Sequence, residues 1–438
     1  MSSEQFQPLK LAAKFAGHQE TSPTLRINEQ VQQMWAAGET VYHLGFGESR
    51  MPLHPKLLAT YQEHAHQKSY LAGQGLAKLR EEIAGFYQRT FQIPTAAHQV
   101  MVGPGSKSLI FALQMALDAE LILPTPSWVS YSPQAELLGQ PVQHIPATMR
   151  DNYMLTIEAL DQTLANSTNR SKLLLINSPN NPSGQMFSES LLRELADYCR
   201  EQGITVISDE IYGRVTLGSK PHISISRYYP EGSIVLGGLS KHLGLGGWRL
   251  GVAVLPDTPE GAALMQAVRV IASEIWSSPT SAVQHAATVA YGDDPEITHY
   301  IDQCNALHSL RTRHLWSWLT ELGIECTEPE GGFYLVANFD RWREPLAAMG
   351  ITTSEDLTTH LLQEYQIAAL PGTTFGIPAA ELSIRLASSY VDMESDDKAE
   401  AVFSAFQEGV DGEVLMQAHH PMMNGAIERF GRFVENLG

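Results

Sequence analysis

Apolar residues along the 438-residue chain fall into two alternating patterns, short near-continuous runs and stretches with helical spacing. The near-continuous runs are Gln99 to Val102, Glu120 to Leu123, Lys172 to Ile176, Ile204 to Ile207 and Ser233 to Leu236. Rich in branched side chains, they predict strands buried on both faces. Between them Leu76, Leu79, Ile83, Phe86 and Tyr87 recur at helical spacing. A second helix opens at Gly103-Pro104-Gly105-Ser106-Lys107-Ser108 and runs through Leu117, and a third carries Leu191, Leu192, Leu195 and Cys199 before Gly203. Strand and helix in alternation predict an α/β fold whose mostly parallel sheet is covered by helices on both faces.

The flanking regions follow a different pattern. Residues 1–24 have no periodicity and read as an arm. Ile27, Val31, Met34 and Trp35 mark a helix closed by Gly38, and Val41 to Leu44 a short strand. Long helices are expected from about Glu260 to Leu322, with Gly323 ending the last. Beyond it come a strand at Gly331 to Val336, a helix at Thr353 to Tyr365, a strand at Leu382 to Leu386 and a helix around Ile427 to Val434. This predicts a smaller α+β domain, built from residues 1–45 with 326–438, beside a large domain of residues 46–325. His419 and His420 lack ligand spacing and are expected at the surface.

Composition narrows the possibilities. Hydrophobic content of 43% and charged content of 18% are ordinary for a globular chain. A net charge of −19 excludes general affinity for nucleic acid or anionic membrane. No apolar run approaches a membrane span, and Met1 to Glu20 has no secretory pattern. Cys199, Cys304 and Cys326 are too scattered for a metal or redox motif, so a reduced, cytoplasmic location is expected.

In parallel sheets ligands collect beyond the strand C-termini. The run Ser233 to Leu236 leads into Gly237-Gly238-Leu239-Ser240-Lys241-His242-Leu243-Gly244-Leu245-Gly246-Gly247-Trp248-Arg249-Leu250-Gly251. Its amine, Lys241, can form a Schiff base with a carbonyl, and its guanidinium, Arg249, suits a phosphate. Pyridoxal 5'-phosphate (PLP) carries both groups. Other strand ends supply what PLP needs. Asp209 can keep the pyridine nitrogen protonated, and Asn181 and Tyr212 can bond the ring oxygen. Gly105, Ser106 and Lys107 offer a helix start to the phosphate, and Trp128 offers a flat face to the ring. Arg385 can hold a substrate carboxylate. Each residue alone has a plainer reading as a turn, core or surface residue. Their joint order at strand ends carries the PLP reading.

The Asn-Asn-Pro-Ser-Gly turn at 180–184, the Ser-Asp-Glu-Ile-Tyr segment at 208–212 and the Ser-Lys…Gly-Trp-Arg-Leu-Gly loop at 240–251 complete the pattern. With them the chain resembles the class I/II aminotransferases of the fold-type I PLP-dependent family, from about Val41 to Leu386. The resemblance implies a large domain with a seven-stranded type of sheet, and a ping-pong exchange of an amino group between an amino acid and a 2-oxo acid. It implies that Lys241 holds the internal aldimine and shuttles the proton, that Asp209 pairs with the pyridinium, and that Asn181 and Tyr212 bond the ring oxygen. Ser106, Lys107 and Arg249 would bind phosphate, Trp128 would stack, and Gly47, Arg385 and Asn181 would bind the substrate carboxylate. Tyr70 matches a tyrosine that reaches the neighbouring subunit's phosphate, which implies a homodimer with shared sites. Gly238 stands where the family often has a hydroxyl, which shifts phosphate binding towards Ser106 and Ser240. Lys107 stands at a usually neutral position. Arg50 is open to a distal substrate acid or to a surface role.

The Gly103 to Ser108 stretch lacks the P-loop spacing, and no Gly-x-Ser-x-Gly elbow exists. A PLP-dependent lyase on the same scaffold and a non-catalytic ligand sensor remain as alternatives; donor, acceptor and pathway are not legible.

Overall fold

A computed structural model describes residues 21–167 and 171–438, together with Ala12 and Phe15. Its strands, in chain order, are β1 (Tyr42–His43), β2 (Val100–Gly103), β3 (Ala119–Thr125), β4 (Val142–Pro146), β5 (Ser171–Asn177), β6 (Thr205–Asp209) and β7 (Ser233–Gly238). They continue with β8 (Gly251–Val254), β9 (Glu325–Cys326), β10 (Tyr334–Asn338), β11 (Ile367–Ala368), β12 (Leu370–Pro371) and β13 (Ser383–Ala387).

Seven strands form one sheet in the order β2-β8-β7-β6-β5-β3-β4. Neighbours are parallel except at β8, which runs antiparallel to both β2 and β7. Successive residues of a strand point to opposite faces, and because both faces are covered the runs are nearly continuous. On β5, Leu173 and Leu175 join a core with Leu109, Leu113 and Val268 from helices Ser106–Ala116 and Pro259–Ile275. Leu174 and Ile176 point the other way, against Leu192, Leu195 and Cys199 of helix Glu189–Gln202. On β7, Ile234 and Leu236 face the first layer, while Val235 joins Leu79, Ile83 and Phe86 of helix Ala77–Phe91 on the opposite side. Each fully buried leucine of this kind contributes roughly 1.5–3 kcal/mol.

The remaining strands form a four-stranded antiparallel sheet, β12-β13-β10-β9, and a two-stranded parallel ladder, β1-β11. Helix Pro295–Glu321 links the two cores. Its first half buries Ile297, Ile301 and Leu307 against the large sheet's helices, and its second half buries Leu315 and Leu319 with Phe339, Phe430 and Phe433.

Several expectations need correction. Helix Pro23–Ala36 begins inside the stretch expected to be an irregular arm; most of residues 1–20 lie outside the described set. Gly331 makes only an isolated bridge to Thr216, Gly332 and Phe333 form a turn, and the strand starts only at Tyr334. His420 is not at the surface but fully buried. Arg311, also fully buried, donates its Nε to His420 Nε2 at 3.0 Å and its other nitrogens to the carbonyls of Ser389 and Val391. Burial, and then the Arg311 charge, push the His420 pKa down to about 3. The ring therefore stays neutral and accepts the guanidinium proton.

Candidate active site

The C-terminal ends of β5, β6 and β7 open into a cavity of about 480 Å³. Asn177 ends β5, Asp209 ends β6, and Ser240 and Lys241 begin the loop that returns β7 to β8. Because β2 runs in the same direction as β7, helix Ser106–Ala116 brings its N-terminus to the same edge. Trp128 arrives after β3, and Arg385 and Tyr334 cross over from β13 and β10. Of the residues singled out in the sequence, Gly47, Ser106, Lys107, Trp128, Asn181, Asp209, Tyr212, Ser240, Lys241, Arg249 and Arg385 all line this cavity. Tyr70 does not; it is 88% exposed. Arg50 pairs instead with Asp396 at 2.7 Å.

Lys241 donates from Nζ to the Gly47 carbonyl at 3.0 Å and sits 5.5 Å above the Tyr212 ring and 5.8 Å above that of Phe333. Asp209 is buried, accepting from the Tyr131 hydroxyl at 2.8 Å and the Ile211 N–H at 3.2 Å. Burial drives its pKa up to about 6, although the Tyr131 and Ile211 hydrogen bonds and the Lys241 charge pull the other way. Such a carboxyl is poised to share a proton with a basic nitrogen placed against it. The Tyr212 hydroxyl lies 2.8 Å from that of Tyr334. Burial, followed by Tyr334 beside it, holds Tyr212 well above the ordinary phenol range, so it remains a donor.

Arg385 is buried, and no carboxylate pairs with it among the described residues. It donates to the Gly45 carbonyl and to Asn181 Oδ1 at 3.5 Å, and lies 4.7 Å from the Tyr334 ring and 5.1 Å from that of Phe375. Its Nε has no partner among the described residues. A buried guanidinium with an unsatisfied donor is costly unless an anion completes it.

At the other end, Gly105 caps helix Ser106–Ala116 with φ +89°, and a Cβ there would sit 2.3 Å from Arg249 Nη2. Glycine thus lets the guanidinium approach the helix start. Arg249 itself has φ +51° and donates from Nη1 to the Gly246 carbonyl at 2.9 Å. Lys107 holds its ammonium 4.9 Å from the Trp128 ring; partial burial, then Arg249 and Lys241, lower its pKa. Helix N–H groups, a hydroxyl and two cations make this end an anion cradle.

Sequence reasoning missed Tyr131 and Tyr334. Tyr131 lies three residues after Trp128 at a helix start, a usable signal. Tyr334 sits in a strand of the other sheet, and only its place in the fold brings it to the cavity.

Residues 41–401 match the family model described as aminotransferase class I and II. The chain is 33% identical over 379 residues to the aspartate aminotransferase of Geobacillus stearothermophilus, covering 84% of this chain and 93% of that one. It is 30% identical to the asparagine–oxo-acid transaminase of Streptococcus mutans, covering 89% and 97%. The solved Thermus thermophilus aspartate aminotransferase with maleate superposes with a TM-score of 0.81 at 23% identity, covering 97% of this chain and 100% of that chain, and supports the fold.

Proposed function

The chain belongs to the class I and II aminotransferases, and on that premise we propose that it moves an amino group between an amino acid and a 2-oxo acid by ping-pong exchange on PLP, which the Lys241 amine would hold through the cofactor's carbonyl. The reading rests on one observation: an amine, a buried proton-sharing carboxyl, an anion cradle and an incompletely bonded guanidinium face a single cavity. These residues fit PLP, because the cradle of Gly105, Ser106 and Arg249 asks for an anion at one end while Asp209 asks for a basic nitrogen at the other. When bound, PLP supplies an electron-withdrawing ring that stabilises negative charge at the substrate Cα.

The chain's own residues do the rest. Asp209 would hold a proton at the pyridine nitrogen, and Tyr131 holds Asp209. Tyr212 and Asn181 would donate to the ring oxygen, and Trp128 would cover the ring. Ser106, Ser240, Lys107 and Arg249 would hold the phosphate. Arg385, Gly47 and Asn181 would orient the substrate α-carboxylate, and Lys241 would take up and return a proton at the substrate Cα. We read residues 46–325 as the PLP-binding domain and residues 1–45 with 326–438 as the smaller one. The exposure of Tyr70 supports a homodimer in which it reaches the partner's site. Its three free thiols, Cys199, Cys304 and Cys326, support a reduced, cytoplasmic setting, and no helix among the described residues is long and apolar enough to cross a membrane.

The relatives' names make aspartate and asparagine the first donors to test. Adding either alone to the PLP-loaded protein should bleach its visible band, and a 2-oxo acid should restore it. Lys241→Ala should lose essentially all turnover. Ammonia released without consumption of an oxo acid would instead favour a lyase, and a protein that takes up no PLP would defeat the reading.

A further inference from the structure

Tyr334 touches three groups that the proposed reaction uses, yet none of the assignments above gives it a task. Its hydroxyl lies 2.8 Å from that of Tyr212 and 3.3 Å from the Gly47 carbonyl. Its ring lies 4.7 Å from the Arg385 guanidinium. It is 1% exposed and lines the cavity. A Cβ on Gly47 would come within 2.2 Å of the Tyr334 oxygen, so the residue at 47 leaves room for this hydroxyl.

We propose that Tyr334 is a positioning residue that sets the direction of the Tyr212 hydrogen bond through its hydroxyl and seats Arg385 against its ring. The inference rests on the aminotransferase reading of the site. Its basis is a proton count. The Tyr334 hydroxyl has a single proton, while two oxygens, those of Gly47 and Tyr212, lie within reach. When Tyr334 donates to Gly47, Tyr212 must donate to Tyr334, and its proton is withheld from the cavity. When Tyr334 turns to the Tyr212 oxygen, the Tyr212 proton is freed for an acceptor in the cavity, and the bond Tyr212 makes there is strengthened by the one it receives. The Gly47 carbonyl keeps a partner in Lys241 while Lys241 carries its free amine. The Gly47 carbonyl only ever accepts, so the bond between the two tyrosines is the one that can reverse, without either group leaving its place. The ring acts separately, because a cation against an aromatic face is attracted whether or not the ring carries a hydroxyl.

Other charges face this chain of groups from each side: Asp209 from β6, Arg385 from β13, Lys107 and Arg249 across from Lys241, and His308 behind Lys241 on helix Pro295–Glu321. None of them is removed by changing Tyr334, so a comparison at that position isolates its contribution.

The test uses the full-length PLP-loaded protein and two variants, Tyr334→Phe and Tyr334→Leu. Losing the donor to Tyr212 weakens the Tyr212 bond to the ring oxygen. That oxygen then holds the neighbouring nitrogen's proton to higher pH. The pH midpoint of the visible band should rise by roughly 0.5–1 unit in Tyr334→Phe, with KM for the amino acid within about twofold of wild type because the ring remains. Tyr334→Leu should show the same midpoint shift and, in addition, a KM raised roughly tenfold. A Tyr334→Phe midpoint equal to wild type overturns the hydroxyl's role, and a Tyr334→Leu KM no higher than that of Tyr334→Phe overturns the ring's. A residue that merely filled space would move neither in this order. Absence of a visible band from wild type as well would overturn the aminotransferase reading itself, an outcome distinct from both.

Discussion

Changing Gly105 to alanine tests the anion cradle directly. Gly105 has φ +89° and ψ 155°, a region that is essentially glycine's alone, where a residue with a side chain is strained by about 1–3 kcal/mol. That strain falls on folding stability. The second effect falls on binding. The new Cβ would stand 2.3 Å from Arg249 Nη2 and 2.9 Å from its Cζ, a separation that real contacts do not allow. Backbone cannot yield easily at a helix cap, but the Arg249 side chain is exposed and free to swing outward. The fold should therefore survive with its guanidinium displaced from the helix start.

A hydrogen bond to a charged group is worth about 1.5–3 kcal/mol, so affinity for PLP should fall roughly 10- to 150-fold. Equilibrium titration of cofactor-free protein, followed by the visible band, measures this. The decisive comparison is with Arg249→Ala and the double variant. If Gly105→Ala acts by moving Arg249, the double variant should bind no more weakly than Arg249→Ala alone, because the two changes remove one interaction. Additive losses, or a Gly105→Ala affinity equal to wild type, would refute the account.

Two further outcomes follow from buried charge. Burial raises the Asp209 carboxyl from an ordinary 3.8 to about 6. Its favourable contribution to folding is therefore complete below 3.8 and is lost as pH rises through 6, a swing of about 3 kcal/mol. Cofactor-free Asp209→Asn should gain stability relative to wild type between pH 4 and pH 7 in urea melts; a pH-independent difference would show that Asp209 is not held up by burial. Arg385→Leu should lose roughly 100-fold in kcat/KM for the amino acid while melting no lower than wild type, since the change removes a buried charge that no carboxylate neutralises among the described residues. An unchanged KM would reject Arg385 as the carboxylate's holder.

What could be read from the chain, and what could not, divides along physical lines. β5, β6 and β7 were legible because helices cover both of their faces, so their central residues are apolar on both sides and polar ones fall mainly at the strand ends. β4 was not, because it is the sheet's edge and carries partly exposed Gln143 and exposed His144. Nor was β8, whose start at Gly251 merges with the glycine-rich loop before it. The site followed the same rule. Lys241, Asp209 and Asn181 belong to the loop ends of the parallel strands, where chain order already announces a common edge. Tyr334 reaches that edge from another sheet, so no spacing in the chain points to it.

Polar burial was the harder problem still, and the reason is energetic. A lone histidine or arginine is expected outside because removing it from water without partners is prohibitive. His420 and Arg311 are both fully buried, and each is the reason the other can be. Arg311 also takes carbonyls from Ser389 and Val391, just beyond β13. The backbone N–H groups of Met422 and Met423 at the start of helix Pro421–Leu437 donate to Asp392. The C-terminal helix is thereby tied to the strand that presents Arg385, by bonds joining residues far apart in the chain. Hydrophobic periodicity records which face of an element is covered; it holds no record of a polar group whose burial depends on a partner that only the finished fold supplies.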